Sequence, residues 1–435
     1  MSASAWSLTF LDDFEASRGY SLIPYLTIVG TTTGASGEFG PWGGDSSTKY
    51  DALLDEDGND ITMRVYYDLC QVRTECYINN CLQELTDWAH EFGMKLRAEN
   101  SYGVAAFEAS EPVKALDWVE TESLEFVSEP DSFRIQGGGV HVYDKVYSSE
   151  TGANNYANYR YANETYRNIF YTQFASTIAR TVFHGYSALN GPQGEVDWPG
   201  FGGLEATLSM RVRSRQPNSV DYAENLMPHL ARLQTALRQG VVQIDLAILR
   251  SDYNIYADYF VNTTPSSFND GGNDYSVNDL RSGKALYWQA LNLQNAGYTY
   301  DYWSPILLAD EDAHMTVEDG GLRCVNGSAA YQAIIIYQET FPAQSMDALE
   351  ELAAAGLPIL FVNNGTEYSK TNGGMVEYTT AVSKSLFLDA DDEEINSFRE
   401  SLIANYENVV SVDSEDEVLD VLSAIVNQPR AAFGV

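Results

Sequence analysis

The segment Gly137-Gly138-Gly139-Val140-His141-Val142-Tyr143-Asp144-Lys145-Val146-Tyr147-Ser148-Ser149-Glu150 sets the architecture of this chain. Three glycines and a histidine precede a β-branched and aromatic run, Lys145 to Ser149, that closes on the carboxylate of Glu150. The glycines predict a lead-in to a strand and not a dinucleotide fingerprint, because no helix opens straight after them. The run predicts a parallel strand with an acid at its C-terminal tip, where β/α enzymes keep their chemistry. A lone glutamate is ordinarily a solvated surface residue, so the neighbouring segments decide what Glu150 is.

Those neighbours repeat the pattern. Residues 81–92 predict a helix with Leu82, Leu85, Trp88 and Phe92 on one buried face, stopped at Gly93. Residues 94–98 then predict a strand ending at Glu99, and residues 115–119 a second ending at Glu120 and Glu122. Lys145 to Ser149 ends at Glu150, and Thr181-Val182-Phe183, after a helix over 159–180, ends at His184. Strand, polar tip, helix, strand is the signature of βα units feeding a parallel sheet or barrel.

A short helix over 10–18 opens the chain, and residues 30–60 are rich in Gly, Ser, Thr and Asp and predict a loop. A helix over 222–239 ends at Gly240, and the composition then shifts. Residues 241–249 are a continuous apolar run of the kind buried on both faces. Residues 263–278 predict a loop, and strands over 333–337, 358–362 and 409–412 alternate with helices. Ser414 to Glu417 has the spacing of a capping box. The fold class is therefore α/β: part of a (β/α)8 barrel over 1–240, then a flavodoxin-like open α/β domain over 241–435. Four βα units are half of the eight a closed barrel needs, so the expectation is that the earlier half lies before Met1.

The charge of −37, from 25 basic against 62 acidic residues, excludes nucleic acid and anionic membrane as partners. The 29 tyrosines and 7 tryptophans suit stacking against sugars. Cys70, Cys76, Cys81 and Cys324 lack zinc-type spacing, and allow a Cys70–Cys76 or Cys76–Cys81 bridge in an oxidising compartment. Sequons at Asn163, Asn262, Asn326 and Asn364 fit a secreted glycoprotein, although Met1 is followed by no signal peptide.

Glycoside hydrolysis needs two carboxyl groups, one protonated and one ionised. Glu99, Glu120, Glu122 and Glu150 stand at strand ends where such a pair converges, and His184 could contact a sugar hydroxyl or orient one of them. Asp117, Glu120, Glu122 and Glu150 are equally a hard-oxygen set for Ca²⁺. No P-loop, HExxH, EF-hand or GxSxG element is present.

In order and spacing, several segments resemble the family 106 glycoside hydrolases, the α-L-rhamnosidases. They are Trp6 through Phe14, Arg18-Gly19-Tyr20 with Pro24-Tyr25-Leu26, and Asp117-Trp118-Val119-Glu120-Thr121-Glu122. His141-Val142-Tyr143, Ser149-Glu150-Thr151, His184-Gly185-Tyr186, Trp198-Pro199-Gly200, Leu230 to Gln234 with Gly240, and Ile244-Asp245-Leu246 complete the set. The resemblance implies a catalytic barrel followed by a smaller α/β domain, inverting release of terminal α-L-rhamnose, and a calcium ion at the sugar. Together with the strand-tip pattern it makes Glu120 and Glu150 the candidate catalytic residues, with Glu99, Glu122, His141, His184 and Trp198 as candidate substrate contacts, although the resemblance implies that one of the family's catalytic carboxylates is missing from this chain. The family's acidic Trp-Glu motif would fall at or before Met1. Two other readings compete: a non-catalytic carbohydrate-binding relative, and a β-galactosidase-like barrel hydrolase.

Overall fold

Two parallel sheets, each built by helices crossing between its strands, make up the frame. The computed structural model describes residues 7–30, 53–99, 108–123, 130–152, 163–184, 222–251, 288, 292–325, 329–369 and 374–426. Trp198 and the 263–278 loop lie outside them. Among the described residues no helix is long and apolar enough to cross a membrane.

The first sheet holds β1 (Arg97–Glu99), β2 (Trp118–Glu122), β3 (Val146–Thr151) and β4 (Arg180–Phe183), in that order and all parallel. Among the described residues β1 and β4 each pair on one side only, so the sheet is open there. Register aligns Glu99 with Glu120 and Ser148, and Glu122 with Glu150. Side chains alternate across a strand, so Trp118, Glu120, Glu122, Ser148 and Glu150 share one face. Val119, Thr121, Tyr147, Ser149 and Thr151 share the other, which meets the helices. There Tyr147 donates to the Phe133 carbonyl (2.7 Å), and Gln173 donates to Ser149 (2.9 Å).

The second sheet holds β5 (Leu246–Leu249), β6 (Tyr300–Trp303), β7 (Ala333–Ile336), β8 (Ile359–Val362) and β9 (Val409–Val412), ordered β9-β8-β7-β5-β6 and all parallel. In chain order that is 2-1-3-4-5, one of the two common doubly wound arrangements. Every residue of β5 to β8 is buried, and apart from Asp301 and the Tyr300 and Tyr302 hydroxyls those side chains are apolar or the Trp303 indole. One hydrophobic cluster runs from Val119 and Tyr147 of the first sheet to Ile335 and Leu360 of the second.

Several expectations change. Gly137–Gly139 and His141 are not a lead-in loop; they lie inside the helix α4 (Pro130–Val142), which follows α1 (Phe10–Arg18), α2 (Thr62–Tyr77) and α3 (Glu84–Glu91). Glycine costs a helix roughly 1 kcal/mol against alanine, and close approach explains its use here. A Cβ on Gly137 would sit 2.7 Å from Asp301 Oδ1, while one on Gly138 or Gly139 would overlap the carbonyl oxygen of Tyr302 or Ser110. The glycine face thus seats α4 directly on β6.

The helix over 81–92 is the end of a longer run. A helix at Thr62–Tyr77 passes through a π-helical turn at Ile78–Gln83 into a helix at Glu84–Glu91. A π turn adds a residue and rotates every later turn of the helix, so Leu82, Thr86 and Ala89 are buried, while Leu85, Trp88 and Phe92 are exposed. Cys70, Cys76 and Cys81 ride on this run. At 1.5 Å per residue, five or six residues separate their positions by about 7.5–9 Å along the axis, beyond disulfide reach; all four cysteines are unbridged.

The apolar run over 241–249 divides into Val242–Gln243, which joins a small separate sheet, and β5. Buried Asp245 makes the corner, accepting from Thr299 N (2.9 Å) and Gln332 Nε2 (2.8 Å). Ser414 makes no side-chain cap; instead Glu417 accepts from the Asp413 amide at 3.1 Å.

Candidate functional site

The shared face of β2 and β3 carries its charge in two rows. In the lower row Glu120, 3% exposed, accepts from Ser148 Oγ at 2.9 Å and pairs with Arg97 Nη1 at 3.1 Å, both through Oε2. Arg180, aligned with Ser148, lays its guanidinium 4.0 Å from the centre of the Trp118 ring, a cation–π contact. Burial pushes the Glu120 carboxyl above its usual range; Glu150 pushes the same way, against the hydrogen bond from Ser148 and the charges of Arg97 and Arg180.

The upper row lies at the C-terminal edge. Glu122 is buried, and its register partner Glu150 is partly open to solvent, with its side chain 27% exposed. His184 follows β4, anchored by its amide to the Thr151 carbonyl (2.9 Å), and its Nε2 lies 3.7 Å from Glu150 Oε1. The ring and the carboxylate both reach solvent. The Ser123 and Gly152 turns are tied across this edge by Ser123 N to the Glu150 carbonyl (2.9 Å) and Gly152 N to Ser123 Oγ (3.1 Å). That holds the backbone under the row in place.

The structure therefore brings Glu120, Glu122, Glu150 and His184 to one face, with Glu99 half-buried on the adjoining strand. It does not bring His141 there. His141 is buried with its Nδ1 2.6 Å from Asp301 Oδ2, and Tyr331 donates to the same oxygen at 2.8 Å. This places it in the seam between α4 and β6, where burial beside a carboxylate accounts for it structurally. Asp117 also departs: it precedes β2 at the opposite end of the sheet, 2.9 Å from His90 Nε2, and accepts from the Leu96 amide at 2.8 Å. Against some burial, the hydrogen bonds from Leu96 and His90 and the nearby charge of Lys95 hold its carboxyl below the usual range.

The calcium expectation does not fit these residues. Glu120 Oε2 is already taken by a cation and a hydroxyl, Asp117 is at the far end, and among the described residues no group of three or more His, Cys, Asp or Glu could hold a metal ion. Sequence reasoning missed Arg97, Ser148 and Arg180, which surround Glu120. The signal was present in the alternation of Trp118, Glu120 and Glu122, since the same face of β1, β3 and β4 had to answer it.

No family model matches the chain, and a sequence comparison with curated proteins finds no match. Solved structures do match. A GH42 β-galactosidase catalytic mutant from G. stearothermophilus gives a TM-score of 0.43 at 10% identity, over 81% of this chain and 48% of that one. A β-galactosidase from Bacillus circulans sp. alkalophilus gives 0.45 at 13%, over 81% and 48%. A rhamnosidase from Novosphingobium sp. PP1Y gives 0.58 at 13% identity, over 97% of this chain and 35% of that one. Of these three, the rhamnosidase alone is close enough to share the fold, and the present chain spans about a third of its length: it is similar in fold to that part of a rhamnosidase.

Proposed function

We propose that this protein is a glycoside hydrolase whose sugar meets the C-terminal edge of β2, β3 and β4. The observation that carries the reading is the Glu122–Glu150–His184 row: two carboxylates in register with an imidazole beside the solvent-facing one. Glu150 is the group in reach of a glycosidic oxygen or an attacking water, and His184 orients its carboxylate or a sugar hydroxyl. Glu120, one row below, acts through Glu150. Tied to Arg97 and Ser148, it holds the strand face on which Glu150 stands.

The substrate in this reading is a terminal α-L-rhamnose, supported by the sequence resemblance and by the fold shared with a rhamnosidase. The stereochemistry has two candidate outcomes. The resemblance implies inversion, which needs carboxyls roughly 6.5–9.5 Å apart. Neighbouring strands are about 4.8 Å apart, so a pair made of Glu122 and Glu150 favours retention, whose spacing is roughly 5–5.5 Å. NMR of the first-formed anomer separates them.

The test is hydrolysis of an aryl α-L-rhamnoside beside an aryl β-galactoside. Glu150→Gln is expected to lower turnover by at least about a hundredfold, as loss of a general acid–base group does. Full activity in Glu150→Gln removes the assignment. Rhamnose binding without any turnover points instead to a non-catalytic binding protein.

A further inference from the structure

The two outer strands of the first sheet are each accompanied by a helix with an exposed apolar patch. Among the described residues β1 and β4 pair on one side only, and a bare strand edge is a template for pairing with another chain. The helix α3 leads into β1 through residues 92–96. Its inner side is tied to the segment entering β2, by Thr86 Oγ1 to the Ala115 carbonyl (2.6 Å) and by His90 to Asp117. Its outer side exposes Leu85, Trp88 and Phe92, with Met94 just beyond. The Trp88 and Phe92 rings lie 5.3 Å apart, and Phe92 is 63% exposed.

At the other edge the helix α6 (Met227–Leu237) clusters, through Met227 and Leu230, with Phe170 of α5 (Asn163–Ala175) and Phe183 of β4. It exposes Leu237, with Val241 just beyond. Arg238 acts on the charge of Arg180, the first residue of β4. This patch therefore lies at the N-terminal end of β4, as Phe92 and Met94 lie at the N-terminal end of β1. The charges of the two patches are opposite. On α3, Glu84, Asp87 and Glu91 are exposed among the apolar residues. Acids outnumber bases 62 to 25 in the chain, yet residues 225–244 hold Arg232 and Arg238, both exposed, and no acid. Unlike patches attract, and a patch meeting its own kind is repelled.

We propose that a second copy of this chain covers these surfaces: α3 of each copy meets α6 of the other across a two-fold axis, and β4 of one copy pairs with β1 of the other. Parallel pairing brings like ends of strands together, which sets Phe92 and Met94 against Leu237 and Val241, and the α3 acids against Arg238. A two-fold dimer makes both junctions at once. Together they join eight parallel strands, the number a closed β/α barrel takes. Glu99 of the partner subunit then stands at the strand end beside His184, so each candidate site draws on both copies. Mass and not turnover reads the association, which stands whether or not the Glu150 row is catalytic.

Sedimentation of the full chain at micromolar concentration tests it, and twice the chain mass is expected. Trp88 and Leu237 are exposed, so Trp88→Asp and Leu237→Asp should leave the far-UV spectrum unchanged. Each should weaken association at least about tenfold. Phe92→Asp and Val241→Asp repeat the test on the same two patches if either first variant disturbs the fold. Mixing an α3 variant with an α6 variant should recover part of the dimer, because one of its two junctions then joins an unaltered α3 to an unaltered α6. A monomeric parent overturns the proposal, as do assemblies that grow beyond two copies. So does full association in either variant, or a mixture that stays monomeric, which would mean that α3 meets its own counterpart.

Discussion

The two parallel sheets bury similar lengths of strand and fill them with opposite materials. β5, β7 and β8 read Leu-Ala-Ile-Leu, Ala-Ile-Ile-Ile and Ile-Leu-Phe-Val, buried throughout. β2 and β3 read Trp-Val-Glu-Thr-Glu and Val-Tyr-Ser-Ser-Glu-Thr, and bury Glu120, Thr121, Glu122, Ser148, Ser149 and Thr151. Apolar surface stabilises in proportion to its area. A buried carboxylate stabilises nothing until it finds donors, and the donors cost fixed positions on neighbouring strands. The second sheet is therefore built for stability. The first gives up some of that stability to hold charge inside the sheet and at its C-terminal edge.

The contrast can be broken most severely in the second sheet. Ile335→Ala, at a fully buried centre of β7, is expected to cost about 2–5 kcal/mol, seen as a lower denaturant midpoint, with turnover per folded molecule unchanged. Glu150→Gln should do the reverse, a hundredfold or greater loss of turnover with a melting temperature near that of the parent. If Ile335→Ala slowed turnover, or Glu150→Gln unfolded the protein, the division of labour between the sheets would be wrong. At the seam, Gly139→Ala forces a methyl group onto the Ser110 carbonyl and is expected to cost about 1–3 kcal/mol. A neutral or stabilising result would mean that α4 does not sit directly on its neighbours.

The smallest effect sharpens the comparison through pH. Glu111 is buried where the Thr62–Tyr77 helix meets the end of β6, accepting from Gln71 Nε2 (2.8 Å) and Ser304 Oγ (2.7 Å). Burial, and then the neighbouring Glu108, hold its carboxyl well above the ordinary 4.5. Proton linkage sets the sign. Below 4.5 the group is protonated folded or unfolded and costs nothing. As pH rises past 4.5 the unfolded chain releases the proton first, and stability drains away until Glu111 ionises in the folded protein as well. Glu111→Gln should flatten that slope and raise the melting temperature at about pH 7–8. Parallel pH profiles for parent and variant would show that Glu111 is not the source.

How much of this was legible in the sequence divides the same way. Apolar runs such as 333–337 and 358–362 read correctly because a strand buried on both faces has no phase to mistake. The strand tips at Glu122, Glu150 and His184 were also visible, since a carboxylate ending a β-branched run is a local pattern. What failed depended on partners distant in the chain. Gly137–Gly139 read as a lead-in to a strand because glycine disfavours helices, and only Asp301, Tyr302 and Ser110 make three glycines an asset. Leu85, Trp88 and Phe92 read as buried because a π turn leaves no mark in the hydrophobic period until the helix is seen. Arg97 and Arg180 did not stand out, because their role depends on which strands become neighbours of β2.

The glycine face of α4 also has a consequence in time. His141 and Asp301 are 160 positions apart, and chains grow at roughly 5–20 residues per second. On the order of ten to thirty seconds therefore pass between the synthesis of α4 and that of the strand it lies on. Through that interval the first sheet has a helix with a bare backbone groove and a buried-type histidine facing water. A nascent chain in that state is exposed to chaperones and proteases, and to the wrong strand. Closing this seam has to wait for β6, so substitutions along it should be read first in yield and only afterwards in melting temperature.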